Sequence, residues 1–180
     1  MDDSDGPVPR IDEDDYRRIS DERMPFARTL GLEVDAIGAR SVRMRAVYDE
    51  RFLRPGGTIA GPITMGLADA ALYALVLSRI GPVELAVTTQ LSIDFLRKPA
   101  PGDLVAEARM LKLGRRLAVG EVRIWSEAAL GADGRGDPER AVAHAVGTYS
   151  IPPPGPGETR AAAGSASPEG AASAGEGARA

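Results

Sequence analysis

Residues 61–77 are apolar at nearly every position and carry one charge, the carboxylate of Asp69. A run of this length with no polar stripe predicts a helix covered on most of its faces, so the rest of the chain has to wrap around it. The neighbours of Asp69 one turn away on such a helix are Met65, Gly66, Leu72 and Tyr73. None is basic, so nothing on the helix itself offsets the charge. A buried carboxylate left unpaired costs several kcal/mol. Two readings stand: Asp69 accepts hydrogen bonds from backbone amides of another segment, or it does chemistry.

The chain has 180 residues, 43% of them hydrophobic, and a formal charge of -4, which predicts one soluble domain with a sizeable core. The mild acidity argues against a nucleic-acid partner, whose binding domains carry a basic excess. With no cysteine there is no disulfide, thiolate metal site or cysteine nucleophile. His144 is the only histidine, which excludes a histidine-clustered metal site and leaves one residue around which a Ser-His-Asp triad could be built. No cofactor and no metal are expected. No stretch of eighteen apolar residues is free of charge, and the N-terminus is acidic where a signal peptide is basic, so a cytoplasmic protein with no membrane partner is expected.

Residues 1–11 and 152–180 are expected to be disordered, the latter because its Pro, Gly, Ala and Ser run cannot bury enough apolar surface to offset its ordering entropy. The single domain then spans residues 12–151. A short amphipathic helix is predicted over residues 12–30, bent at Pro25, with Tyr16, Ile19, Met24, Phe26 and Leu30 available to pack. A hairpin follows over residues 32–37 and 41–48, then a loop with Arg54-Pro-Gly-Gly57, then the apolar helix, in which Pro62 suits the first turn. Beyond Gly81-Pro82 come four strand-like runs at residues 85–95, 104–113, 117–126 and 141–151. Two strands, one apolar helix and four antiparallel strands describe an α+β fold in which a sheet wraps around a central helix.

Three stretches carry a family resemblance: Leu67-Ala-Asp-Ala70 in the helix, Ile93-Asp-Phe-Leu-Arg97 followed by Pro99 and Gly102-Asp103, and the closing Gly147-Thr-Tyr149. With them the chain resembles the hotdog-fold acyl-CoA thioesterases, and in particular the PaaI-like branch that includes phenylacetyl-CoA thioesterase, over about residues 26–151. The resemblance implies thioester hydrolysis, with Asp69 on the position of the family's catalytic carboxylate. Where the family commonly has His-Gly-Gly, this chain has Ala60-Gly61-Pro62. The Gly61 amide is the candidate donor to a thioester oxygen, worth on the order of 3 kcal/mol per donor; Pro62 has none to offer, and the family's histidine is missing.

Along one helix, Gly61 and Asp69 lie roughly 12 Å apart at a rise of about 1.5 Å per residue, too far to serve one reacting carbon. The resemblance resolves this through pairing: hotdog subunits associate edge to edge, so Gly61 of one copy faces Asp69 of the other. A homodimer or dimer of dimers with shared sites is therefore expected. Asp69 would act as general base or as nucleophile. Thr89 is the candidate hydroxyl for holding the water, against the plain reading that threonines favour strands. Arg97, Lys98, Arg115 and Arg116 sit at turns and are candidates for the phosphates of coenzyme A, or are solvated loop charges. Arg54 and Gly57 are candidates for the same groove, although the loop lacks the Gly-Lys-Ser/Thr ending of a nucleotide P-loop. Hotdog dehydratases and hydratases resemble one another in needing a histidine near the central helix, often a few residues past an Asp; Ala74 stands five residues past Asp69, so hydration is disfavoured. A non-catalytic acyl-CoA binder is the alternative, with the acyl group, aryl-acetyl or medium-chain, left open.

Overall fold

The computed structural model describes residues 6–153. The expected looseness of residues 1–5 and of the tail from 154 onward lies outside the described residues. Residues 6–11, expected to be loose with them, instead run along the end of the long helix. The Arg10 amide donates to the Ser78 carbonyl, Arg79 bonds the Pro7 carbonyl, and Ile11 is buried.

Helix α1 spans Glu13–Arg23 and begins with a reciprocal capping box between Asp12 and Asp15, with Glu13, Asp14 and Asp15 matching the positive end of the helix. Pro25 cannot continue that helix and opens α2, Pro25–Thr29. Tyr16, Ile19 and Leu30 are buried as expected, but Phe26 is 70% exposed. Strands β1, Leu32–Ile37, and β2, Ser41–Ala46, form the hairpin. The loop around Arg54 carries a small hairpin of its own, β3 at Leu53–Arg54 and β4 at Thr58–Ile59. Gly56 and Gly57 turn it with φ of +96° and +69°, conformations that a side chain resists.

Helix α3 covers Gly61–Ile80 and ends at Gly81, with φ +87°. Strands β5 (Val87–Phe95), β6 (Leu104–Leu113), β7 (Leu117–Ser126) and β8 (Ala143–Ser150) complete the fold. Six strands make one antiparallel sheet in the order β1-β2-β6-β7-β8-β5, wrapped around α3. By length and composition α3 could cross a membrane; here it is the core helix, with 67% of its apolar window buried inside the fold.

The close approach of sheet and helix depends on a pair of glycines. Gly120 on β7 and Gly147 on β8 face each other across the ladder, and a Cβ on either would stand 2.7 or 2.6 Å from the Leu72 side chain. They form the recess that lets α3 settle onto the sheet. Asp103, in one of the motif stretches, is structural: it bonds Arg45 at 2.8 Å and takes the Tyr48 amide at 2.8 Å, while Arg45 also reaches Asp35 and Glu127.

Candidate active site

Apart from Arg79 in its last turn, the helix is buried everywhere except along one stripe. Pro62, Met65, Gly66, Asp69 and Tyr73 recur at three- and four-residue intervals and are the positions of α3 left partly or fully exposed in its first four turns, with Gly61 at their head. Asp69 therefore lies within the core helix but on its open face.

The carboxylate is held from the sheet. The Thr88 hydroxyl donates to its Oδ1 at 2.6 Å and the Tyr149 hydroxyl to the same oxygen at 2.7 Å. The two hydroxyls converge because Thr88 of β5 and Tyr149 of β8 are cross-strand partners. The register of β5 shifts between Thr88 and Gln90, so successive threonines do not have equivalent surroundings. The Thr89 hydroxyl goes to the Thr148 carbonyl at 3.1 Å. The hydroxyl beside Asp69 is thus that of Thr88, not of Thr89. Tyr149 is not among the expected site residues: it closes the Gly147-Thr-Tyr149 motif stretch, but the motif alone does not show that its hydroxyl reaches Asp69 and not merely packs as a strand aromatic.

Burial, with the Asp69 charge second, raises the Tyr149 pKa far above its ordinary value, so it stays a neutral donor. Its ring lies 6.2 Å from that of Tyr73, which in turn meets Tyr16 edge-on at 6.5 Å. Tyr16 is 1% exposed, and its hydroxyl is the one buried side-chain polar atom without a hydrogen bond among the described residues. Burial first, then Tyr73 and Asp69, raise it as well.

Two turns before Asp69, Gly61 opens the helix with Pro62 as its second residue, and Ala60 provides no side-chain cap. The free amides of a first turn favour negative charge. The Phe95 ring lies across Gly61: a Cβ there would stand 3.3 Å from Phe95 Cζ. The basic candidates are dispersed. Arg54 bonds the Thr58 hydroxyl at 3.3 Å, and Gly57 has open space around it. Arg97 and Lys98 follow the Phe95 end of the sheet, whereas Arg115 and Arg116 lie at the Val87 end, where the Arg116 carbonyl bonds Ile151. Within one chain these groups cannot meet one phosphate. His144 faces the other side of the sheet and bonds Glu121 at 3.1 Å. A cavity of about 460 Å³ also opens on that outer side, among Arg43, Arg109, Arg123, Arg135, Glu121 and Trp125, away from Asp69.

The helix, the motif strands and their order match known proteins. Residues 56–130 match the model of a family described as the thioesterase superfamily. The crystal structure of a candidate thioesterase from a Silicibacter species is 43% identical and superposes with a TM-score of 0.69, over 83% of this chain and 97% of that one. The chain belongs to the thioesterase superfamily. It is hotdog-folded and PaaI-like: a variant of the phenylacetic acid degradation protein PaaI from Thermus thermophilus is 28% identical with a TM-score of 0.57, over 70% of this chain and 97% of that one. A curated candidate esterase of Halobacterium salinarum is 33% identical over 104 residues, which is 55% of this chain and 68% of that protein. The family and these relatives support thioester hydrolysis as the general activity. The matched segment holds Gly61, Asp69 and Thr88 but stops short of Tyr149.

Proposed function

We propose that the protein hydrolyses an acyl-CoA thioester with Asp69 as its reacting carboxylate, in a site completed by a second copy of the chain. The observation that carries this reading is a carboxylate on the open stripe of an otherwise buried helix, gripped by two hydroxyls on one oxygen. A residue with only a packing role has no need of that exposure. The partner's Gly61 amide would receive the carbonyl oxygen as it gains charge. Asp69 either takes a proton from water as the water oxygen adds to the carbonyl carbon, or adds to that carbon itself to give a mixed anhydride that water then opens. In both routes the C–S bond breaks, the sulfur takes a proton, and acid and thiol leave.

Edge strand β5 supports the shared site, since it lies beside Asp69 and among the described residues has no strand on its outer side. Antiparallel pairing of two β5 strands would also bring Arg97 and Lys98 of one copy toward Arg115 and Arg116 of the other, giving the coenzyme A phosphates a basic cluster made from two strand ends that lie apart in one chain. A dimer, or a dimer of dimers, in the cytoplasm fits this reading, with an aryl-acetyl or medium-chain acyl group as substrate. The alternative, an acyl-CoA binder without catalysis, draws on Ala60 and Pro62, which leave the helix end with fewer donors than the family's His-Gly-Gly would provide.

Thiol release from a panel of aryl-acetyl and medium-chain acyl-CoAs, measured on wild type and Asp69→Asn, tests the proposal. The expected result is turnover in wild type and a loss of about a hundredfold or more in the variant with binding retained. Binding without release in wild type would establish the alternative.

A further inference from the structure

The hydrogen bonds around Asp69 are divided unequally between its two oxygens. Oδ1 accepts from both Thr88 and Tyr149, whereas Oδ2 has no hydrogen bond among the described residues. A free carboxylate has two equivalent oxygens and rotates about its terminal bond with little preference. Here, two donors on neighbouring strands remove that freedom and make the oxygens inequivalent. Thr88 and Tyr149 approach from the sheet, so Oδ1 is the oxygen turned toward the fold.

Tyr149 has a further property. Its hydroxyl carries one proton but lies within reach of two acceptors, Oδ1 at 2.7 Å and the backbone carbonyl of Asp69 itself at 2.9 Å. The charged acceptor makes the stronger bond while Asp69 is ionised. Once the carboxyl is neutral that advantage falls, and the hydroxyl hydrogen can rotate to the carbonyl without movement of any heavy atom. No buried donor is stranded in either state, which avoids the penalty of an unmade hydrogen bond.

We infer that Thr88 and Tyr149 form a clamp on Oδ1 of Asp69 that leaves Oδ2 as the single oxygen meeting the substrate, with the Asp69 carbonyl as the alternative acceptor for Tyr149 when the carboxyl is neutral. The inference rests on the thioesterase reading for what Oδ2 does. On the general-base route, Oδ2 receives the proton of water, and the same oxygen returns it to the departing sulfur. On the nucleophilic route, the acyl carbon bonds Oδ2 as the C–S bond breaks, and Oδ1 remains a carbonyl oxygen still within reach of both donors. Thr88 and Tyr149 are positioning residues: they act through Asp69 and need not touch substrate.

The experiment compares Tyr149→Phe, Thr88→Val and Thr88→Ser with wild type, on an acyl-CoA that wild type turns over. The phenylalanine and valine variants are expected to lower kcat about tenfold to a hundredfold, the effect of losing one hydrogen bond to a charged group, with KM changed less than about threefold. Serine at position 88 should recover most of the rate, because it keeps the hydroxyl and loses only a methyl. Thermal unfolding without substrate provides the second readout. Thr88→Val should lower Tm in wild type but hardly at all when Asp69 is already alanine, since the partner is then gone. Unchanged kcat in both Tyr149→Phe and Thr88→Val would overturn the clamp and leave the thioesterase reading intact, and equal Tm losses in the two backgrounds would overturn it as well. A wild type that releases no thiol would instead sink the thioesterase reading, and the unfolding cycle would still decide whether the clamp exists.

Discussion

Strands β1 and β5 both close off the six-stranded sheet, yet their outer sides have opposite chemistry. Helix α1 lies against β1. There the Glu13 carboxylate takes the Ile37 amide at 2.6 Å, and Arg17 donates to the Val34 carbonyl at 3.3 Å. Two charged side chains thus occupy backbone groups that another strand would otherwise use, and Leu32 and Val34 are buried. Among the described residues nothing comparable covers β5. Val87 and Phe95 are each 55% exposed and Leu96, just past the strand, 50%, and among the described residues no charged side chain bonds the backbone of β5. One edge is closed by the chain's own helix, and the other leaves apolar surface and backbone groups open beside Asp69. That difference is why we propose that the second copy docks at β5 and not at β1.

The largest expected effect comes from spoiling the open edge. The double substitution Val87→Glu, Phe95→Glu places like charges where two β5 strands would meet, so sedimentation should shift from dimer or larger to monomer, with turnover falling by about two orders of magnitude as Gly61 and Asp69 of different copies separate. A variant that sediments like wild type would remove β5 as the interface. At the closed edge, Glu13→Ala leaves the Ile37 amide without its partner. It should cost about 1–2 kcal/mol, read as a Tm lower by roughly 2–8 °C, with sedimentation unchanged. Should it promote further association, Glu13 would be a guard against pairing as well as a hydrogen-bond acceptor.

The smallest effect separates two buried tyrosines. Tyr16→Phe deletes a hydroxyl that bonds nothing among the described residues, so Tm should stay within about 2 °C of wild type or rise, in contrast to Tyr149→Phe. The same residues predict a stability loss at alkaline pH. Tyr16 and Tyr149 are raised by burial, so the unfolded chain releases their protons first, from pH about 10 upward, and binds fewer protons than the folded one. Stability is fully present below pH 10 and declines above it. Chemical denaturation at pH 9 and pH 11 should show the loss, and Tyr16→Phe should reduce it.

Much of the fold is legible in the chain. The strands at 104–113 and 117–126 lie where the strand-like runs between glycine breaks predict them, and Pro25 divides the N-terminal helices as its missing amide requires. The small hairpin around Gly56 and Gly57 is hidden because two residues per strand cannot establish a period, and the packing of residues 6–11 is hidden because it consists of backbone bonds to a helix end far along the chain. Within the site, Asp69 stands out as the lone charge in an apolar run. Thr88 and Thr89 are indistinguishable by sequence, since a single-residue register shift decides which hydroxyl turns toward the helix.

By itself the sequence determined that a buried helix carries a carboxylate and that antiparallel strands surround it, because hydrophobic periodicity and chain breakers act over a few neighbouring residues. Only the tertiary structure decided which side of that helix stays open, that Thr88 and Tyr149 share one oxygen of Asp69, and that one sheet edge is covered while the other is bare. Those features join residues 19, 24 and 80 positions apart, and their geometry follows from strand register and helix placement, which no local pattern encodes.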